Sequence, residues 1–210
     1  MLRLIIYQET AHFRIATIGN PYLTYLLPPP STIYGFLRKI TNYKSINYQN
    51  TKLSIQGIYE SISLEKERLT LETKREIKTN IIPIQKLHNS TWIIHIDSVY
   101  DREIKEGIND YVGILRLGRV EDLIIDFSLE EIMISDNDYK NIDVDYFIYK
   151  KWEQGKDFKG QLFSMFIDSE VDEKLNIIGY KPVQLIYSSV YSSLDEIKCS
   201  DGKYLVSWIH

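Results

Sequence analysis

The stretch Thr10-Ala11-His12-Phe13-Arg14 sets a base beside a fixed positive charge, and Thr24-Tyr25 adds hydroxyl and aromatic groups ten residues on. His titrates near neutral pH, and the Arg fork matches phosphate oxygens, so this block suits phosphate binding or acid–base chemistry on a phosphodiester. A few residues further on, Pro28-Pro29-Pro30-Ser31-Thr32-Ile33-Tyr34-Gly35-Phe36-Leu37-Arg38-Lys39 joins a stiff lead-in to a helix start. Each proline fixes φ near about −65° and lacks an N–H, so the run is an extended rod. Ser31 or Thr32 is then placed to cap a helix and leave first-turn amides open to an anion. An ordinary cap on a core-packed helix satisfies the same pattern.

Two weaker groupings carry the same kind of chemistry. Gly118-Arg119 follows an apolar run, where glycine admits a close ligand and Arg grips phosphate or stacks on a base; a turn pairing Arg119 with Glu121 or Asp122 fits as well. Lys86-Leu87-His88 offers a Lys/His pair, and with His12 and a phenol from Tyr25, Tyr34 or Tyr43 it makes up the candidate set for a metal-independent ribonuclease. The acidic residues Asp136, Asp138, Asp143 and Asp145 lack the Gly and Glu positions of a calcium loop, so no metal site is expected. No P-loop, zinc spacing or nucleophile elbow is present, and no cofactor is expected.

The elements that must position these groups follow from periodicity. Leu2, Leu4 and Ile6 alternate with Arg3 and Ile5 in a first strand over residues 2–7, ahead of a long loop to Pro30 of the kind that is usually functional. A helix over 31–41 presents Ile33, Phe36, Leu37 and Ile40; a strand through Leu53, Ile55 and Ile58 follows, with Gly57 as a bulge or bend. Residues 63–78 read as a protruding β-hairpin, 91–96 as a strand, 101–109 as a short helix and 111–117 as a strand ending at Gly118. The resulting class is α+β, a ferredoxin-like (RRM-like) βαββαβ domain over residues 1–120 with a hairpin insertion at about 63–78. Strands at 123–134, 146–152, 161–167 and 183–191 make residues 121–210 a small β-rich C-terminal region.

Of the 210 residues, 44% are hydrophobic, enough for a real core. Apolar runs are too short for a membrane span, Met1–Ile6 reads as strand rather than signal peptide, and the lone Cys199 excludes an internal disulfide; a cytoplasmic protein is expected. The net charge of −4 conceals a gradient: residues 1–119 hold 16 Lys/Arg against 11 Asp/Glu, and residues 120–210 hold 9 against 18. The N-terminal half can therefore present a basic face to phosphate despite the acidic total. Sixteen tyrosines supply rings for unpaired bases.

Three blocks resemble a known family, the CRISPR-associated Cas-five proteins of the RAMP group, in their type I-B branch. They are Thr10–Arg14, the run from Leu23 through Gly35, and Leu117-Gly118-Arg119-Val120-Glu121-Asp122, with Val120 standing where many relatives have a small polar residue. The resemblance implies a noncatalytic subunit of a type I interference (Cascade) complex that holds the 5′ handle of the crRNA, with the backbone subunit and large subunit as partners. It implies that Arg14, Tyr25, Ser31, Thr32, Tyr34, Arg38, Gly118 and Arg119 lie near the RNA and that 63–78 is a thumb against the backbone subunit. One branch of the family instead processes repeat RNA, for which His12, Lys86, His88 and Tyr25 are the candidates.

Overall fold

The computed structural model describes residues 1–15, 19–72, 77–136, 141–171 and 177–210. Its centre is a seven-stranded antiparallel sheet ordered β4-β1-β3-β2-β6-β8-β7. In chain order these are β1 (Leu2–Ala11), α1 (Pro30–Ile40), β2 (Thr51–Glu72), β3 (Ile77–Ser98), α2 (Asp101–Asn109), β4 (Asp126–Glu131), β5 (Ser135–Asp136), β6 (Phe147–Lys151), β7 (Gln161–Val171), β8 (Ile177–Ser189), β9 (Cys199–Ser200) and β10 (Leu205–Val206). Strands β10, β9 and β5 make a second, three-stranded sheet.

Both faces of the central strands are covered, so the first strand reads as a nearly continuous apolar run rather than a strict alternation. Leu2, Leu4 and Ile6 join Leu53, Ile55, Ile94 and Ile96 beneath Ile33, Leu37 and Ile40 of α1 and Ile104 and Ile108 of α2. On the opposite face Ile5 and Ile93 pack with Tyr204, and beside them His95 Nε2–H donates to Asp201 (3.1 Å), which also receives Arg3 (2.6 Å). The helices approach so closely that a Cβ on Gly107 would lie 2.3 Å from the Ile40 carbonyl oxygen.

Several sequence expectations change here. The hairpin expected at 63–78 and the strands flanking it are one structure: β2 and β3 are 22 residues each and pair without interruption of register from Thr51↔Ser98 to Glu72↔Ile77. Residues 73–76, within the span expected to be hairpin, lie outside the described residues. Gly57 is neither bulge nor bend; it sits in register opposite Trp92, and a Cβ there would fall 2.4 Å from the Trp92 ring. The first strand runs on to Ala11.

Residues 111–117 form no strand. Glycines at φ 140° (Gly113) and 108° (Gly118) break the run, Val112 is 97% exposed, and only a bridge between Arg116 and Leu123 forms. The strand that pairs with β1 on this side is β4, which is shorter than the 123–134 strand predicted. The later strands are not set apart from the first half: β6 pairs with β2 and carries β8 and β7 on the same sheet.

Candidate nucleic-acid interface

Residues 12–15 and 19–27 lie across the middle of the β2–β3 hairpin, where Gln85 on β3, opposite Leu64, holds them at three points. Its N–H donates to the Tyr22 carbonyl (2.9 Å), its Oε1 accepts the Thr24 N–H (3.1 Å), and its carbonyl accepts His12 Nδ1–H (2.7 Å). Thr24 in turn accepts the Phe13 N–H through its hydroxyl and pairs across the loop with Arg14. This antiparallel pairing brings Arg14 and Tyr22 together, with the guanidinium 3.7 Å from the ring centroid.

This packing leaves a cleft of about 450 Å³, walled by His12, Phe13, Arg14, Tyr22 and Tyr25 on one side and Pro29, Ser31 and Thr32 at the start of α1 on another. Ile84, Phe166, Gly118, Arg119 and Glu121 close it. The mixture of aromatic faces, hydroxyls and one exposed guanidinium suits a stacked base and its phosphate. Among the described residues no carboxylate pairs with Arg14, so its charge is available to a ligand.

Arg119 is held differently. Its guanidinium meets Glu67 (2.9 Å), Glu121 (2.9 Å) and Asp122 (3.4 Å), and Asp122 is fully buried. Asp122 Oδ2 also accepts the N–H groups of Arg119 (2.8 Å) and His12 (3.2 Å). Three carboxylates outweigh one guanidinium, so Arg119 ties the 117–122 turn to the hairpin and to the His12 loop. Gly118 must be glycine for this turn: its φ is 108° and a Cβ would stand 2.8 Å from Asp122 Oδ2. Burial opposes ionisation of Glu67, but its bonds to Lys86 and Arg119 outweigh that and hold its pKa below the usual carboxylate value.

His12 is 2% exposed. Because a carbonyl can only accept, the bond to Gln85 fixes the Nδ1–H tautomer and leaves Nε2 as an acceptor. Burial lowers its pKa, with the Gln85 bond acting against the shift, so the ring is neutral at pH 7. Tyr25 is also buried; its hydroxyl donates to the Ser164 carbonyl (3.2 Å), and burial raises its pKa.

The cleft thus gathers His12, Arg14, Tyr25, Ser31, Thr32, Gly118 and Arg119 from the residues singled out in the sequence. Ser31 and Thr32 do not cap α1. Pro29 occupies the cap position and Pro30 the first helical one, and the Pro29 carbonyl takes the Thr32 and Ile33 N–H groups (3.0 and 3.3 Å). Both hydroxyl residues therefore sit inside the first turn, facing the cleft.

The other predicted residues lie elsewhere. Tyr34 is wholly buried and donates to the Thr51 carbonyl (2.7 Å). Arg38 points along the far side of α1 to Asp168 (2.6 Å) and the Ile46 carbonyl (2.7 Å). Lys86 is engaged by Glu65 (2.9 Å) and Glu67 (2.6 Å) on the hairpin, and His88 Nε2 meets Ser63 (2.7 Å). Tyr43 is exposed beyond α1. Asp138 lies outside the described residues, among which no three metal-ligating side chains converge.

Three cleft residues were not anticipated: Tyr22, Ile84 and Phe166. Tyr22 could have been paired with Arg14 from the alternation Tyr22-Leu23-Thr24-Tyr25, which places Tyr22 and Thr24 on one face of an extended segment. Phe166 arrives from β7, more than a hundred residues away, with no local signal.

Among the described residues no helix is long and apolar enough to cross a membrane. No protein-family model matches the chain, and no curated protein does so in sequence. Solved structures do match in shape. A chain of a CRISPR RNA-guided surveillance complex superposes with a TM-score of 0.58 at 10% identity, covering 90% of each chain. A chain from the type III-B Cmr-beta complex bound to cognate target RNA and AMPPnP gives 0.50 at 14% identity, covering 94% of this chain and 90% of that one. The protein therefore shares its α+β fold with chains of a CRISPR surveillance complex and of a Cmr complex.

Proposed function

We propose that this protein is a noncatalytic, RNA-holding subunit of a type I CRISPR interference complex, and that the cleft seats the 5′ handle of the crRNA. The observation that carries the reading is Arg14, exposed and stacked on Tyr22 at the mouth of an aromatic, hydroxyl-lined cleft. The shared fold supports it, as do the sequence blocks, whose residues meet in that cleft. The unit β1-α1-β2-β3-α2-β4, with its strands ordered β4-β1-β3-β2, is read as a ferredoxin-like domain, and the outer half of the β2–β3 hairpin as the thumb that contacts the backbone subunit. The large subunit is the second protein partner, and the assembly works in the cytoplasm.

Binding is favoured over cleavage by the state of the candidate nuclease groups. His12 and the Tyr25 hydroxyl are buried and bonded to carbonyls, while Lys86 and His88 are engaged on the hairpin. A general base must reach the proton it removes; His12 and Tyr25 share the cleft with their polar atoms bonded to carbonyls, and Lys86 and His88 do not join them there.

The test is to incubate the pure protein in EDTA with end-labelled repeat RNA at two salt concentrations. Tight, salt-sensitive binding of intact RNA is expected. A single metal-independent cut, lost in His12→Ala or His88→Ala, would replace this reading with a repeat-processing ribonuclease.

A further inference from the structure

A second concavity of about 380 Å³ lies behind the cleft, between the loop that follows α1 and the outer edge of the sheet. The two are adjacent along β7: Phe166 walls the cleft, and Asp168 and Ser169 wall the second site. A register shift between Phe166 and Asp168 separates them, with Phe166 opposite Pro182 but Asp168 opposite Lys181. Such a bulge re-aims side chains. Here Phe166 stacks on the exposed ring of Tyr180, centroids 4.4 Å apart and planes 23° from parallel.

The aromatic surface continues past that stack. Lys181 Nζ lies 4.0 Å from the Tyr48 ring centroid and donates to its hydroxyl (2.7 Å). Across the concavity Lys44 is exposed, and among the described residues it has no acidic partner. The acid in the lining, Asp168, is already neutralised by Arg38 (2.6 Å), so Lys44 and Lys181 leave the site positive on a chain of net charge −4. Asn42 and Tyr43 adopt left-handed conformations, φ 52° and 60°, and the turn they make holds the Tyr43 ring 58% exposed. Non-glycine residues in that region cost free energy and persist where the surroundings impose them, commonly at binding sites.

We propose that this groove is a second subsite for single-stranded RNA, continuing the strand that leaves the cleft over the Phe166–Tyr180 stack toward Lys181, Lys44 and Tyr43. Rings that offer open faces and lysines without acidic partners are what a sequence-tolerant single-strand path requires. Its continuity with the cleft rests on the reading of the cleft as an RNA site.

Fluorescein-labelled oligouridines of four and ten nucleotides distinguish the two subsites, with thermal unfolding confirming that each variant is folded. Wild type is expected to bind the longer RNA more tightly, and Tyr180→Ser or the double variant Lys44→Glu, Lys181→Glu should remove at least about fivefold of that gain while leaving the short RNA unaffected. Tyr180→Phe, which keeps the ring, should retain it. A length gain unchanged in these variants overturns the second subsite. Long-RNA binding that depends on Tyr180 and Lys181 but not on Arg14 supports the groove and overturns the cleft instead; no binding of either RNA overturns both.

Discussion

The guanidinium of Arg14 lies 3.7 Å above the centroid of the Tyr22 ring, two residues brought together by the antiparallel bridge between Arg14 and Thr24. The stack pre-orients the charge toward the cleft, so little side-chain entropy is lost when a phosphate or base arrives. Arg14→Ala should weaken RNA binding about tenfold, close to 1.4 kcal/mol, and Arg14→Lys should recover only part of it because an ammonium lacks the planar fork. Fluorescence anisotropy across a salt series checks this. A salt slope unchanged in Arg14→Ala would assign the residue to base stacking, whereas a slope reduced by about one would assign it to phosphate.

Arg119 should behave in the opposite way. Its charge is matched by Glu67, Glu121 and buried Asp122, and the same Asp122 accepts the His12 and Arg119 backbone N–H groups. Removing Asp122 strands two amides and takes from Arg119 one of its three carboxylates, so Asp122→Ala should cost about 3 kcal/mol of stability. Arg119→Ala should cost about 2 kcal/mol and less RNA affinity than Arg14→Ala. Urea unfolding and anisotropy on the same variants separate the two effects. If Arg119→Ala left stability intact and abolished binding, the residue would be a direct RNA anchor.

How far the site could be read from the sequence follows from the range of the interactions that build it. His12, Arg14, Tyr25, Ser31 and Thr32 fall within one stretch of chain, and local signals, a stiff proline run and a loop of mixed chemistry, sufficed to group them. Helix α2 matches its predicted span, and α1 is shifted by one residue. Tyr34, which the family resemblance places near the RNA, and Arg38, from the basic end of the same run, are carried elsewhere: the helix turns Tyr34 into the core and Arg38 to Asp168 on β7. Phe166 was invisible for the converse reason: only the packing of β7 against α1 delivers it. The strand expected at 111–117 does not form, because Gly113 within it and Gly118 just after it take positive φ.

Gly107 sets helix propensity against packing. Alanine is favoured over glycine inside a helix by about 1 kcal/mol. The Gly107 position, however, faces the carbonyl of Ile40, where a Cβ would sit at 2.3 Å from the oxygen. Backbone cannot yield as a side-chain tip does, so Gly107→Ala should force α1 and α2 apart and lower stability by about 2 kcal/mol despite the better propensity. A urea midpoint raised in Gly107→Ala would show that the helices separate without cost.

Stability should fall with acidification in two steps. His12, His95 and His210 each have a pKa lowered first of all by burial, so the unfolded chain binds protons that the folded chain refuses. Where the unfolded state holds more protons, stability rises with pH; each histidine therefore contributes a loss of up to about 1.4 kcal/mol per pH unit as pH drops below about 6.5. Asp201 shifts downward too: burial alone would raise it, but hydrogen bonds from His95 and from the Tyr204 and Lys203 amides outweigh burial. Its contribution is present above the unfolded carboxylate value and is lost as pH falls below about 4. Urea unfolding at pH 7.5, 6.0, 5.0 and 3.5 should show the midpoint declining through both windows, with a shallower first decline in His12→Gln. A midpoint that is flat or rises from pH 7.5 to 5.0 would mean that these rings gain their protons as readily folded as unfolded, and the neutral Nδ1–H state assigned to His12 would be wrong.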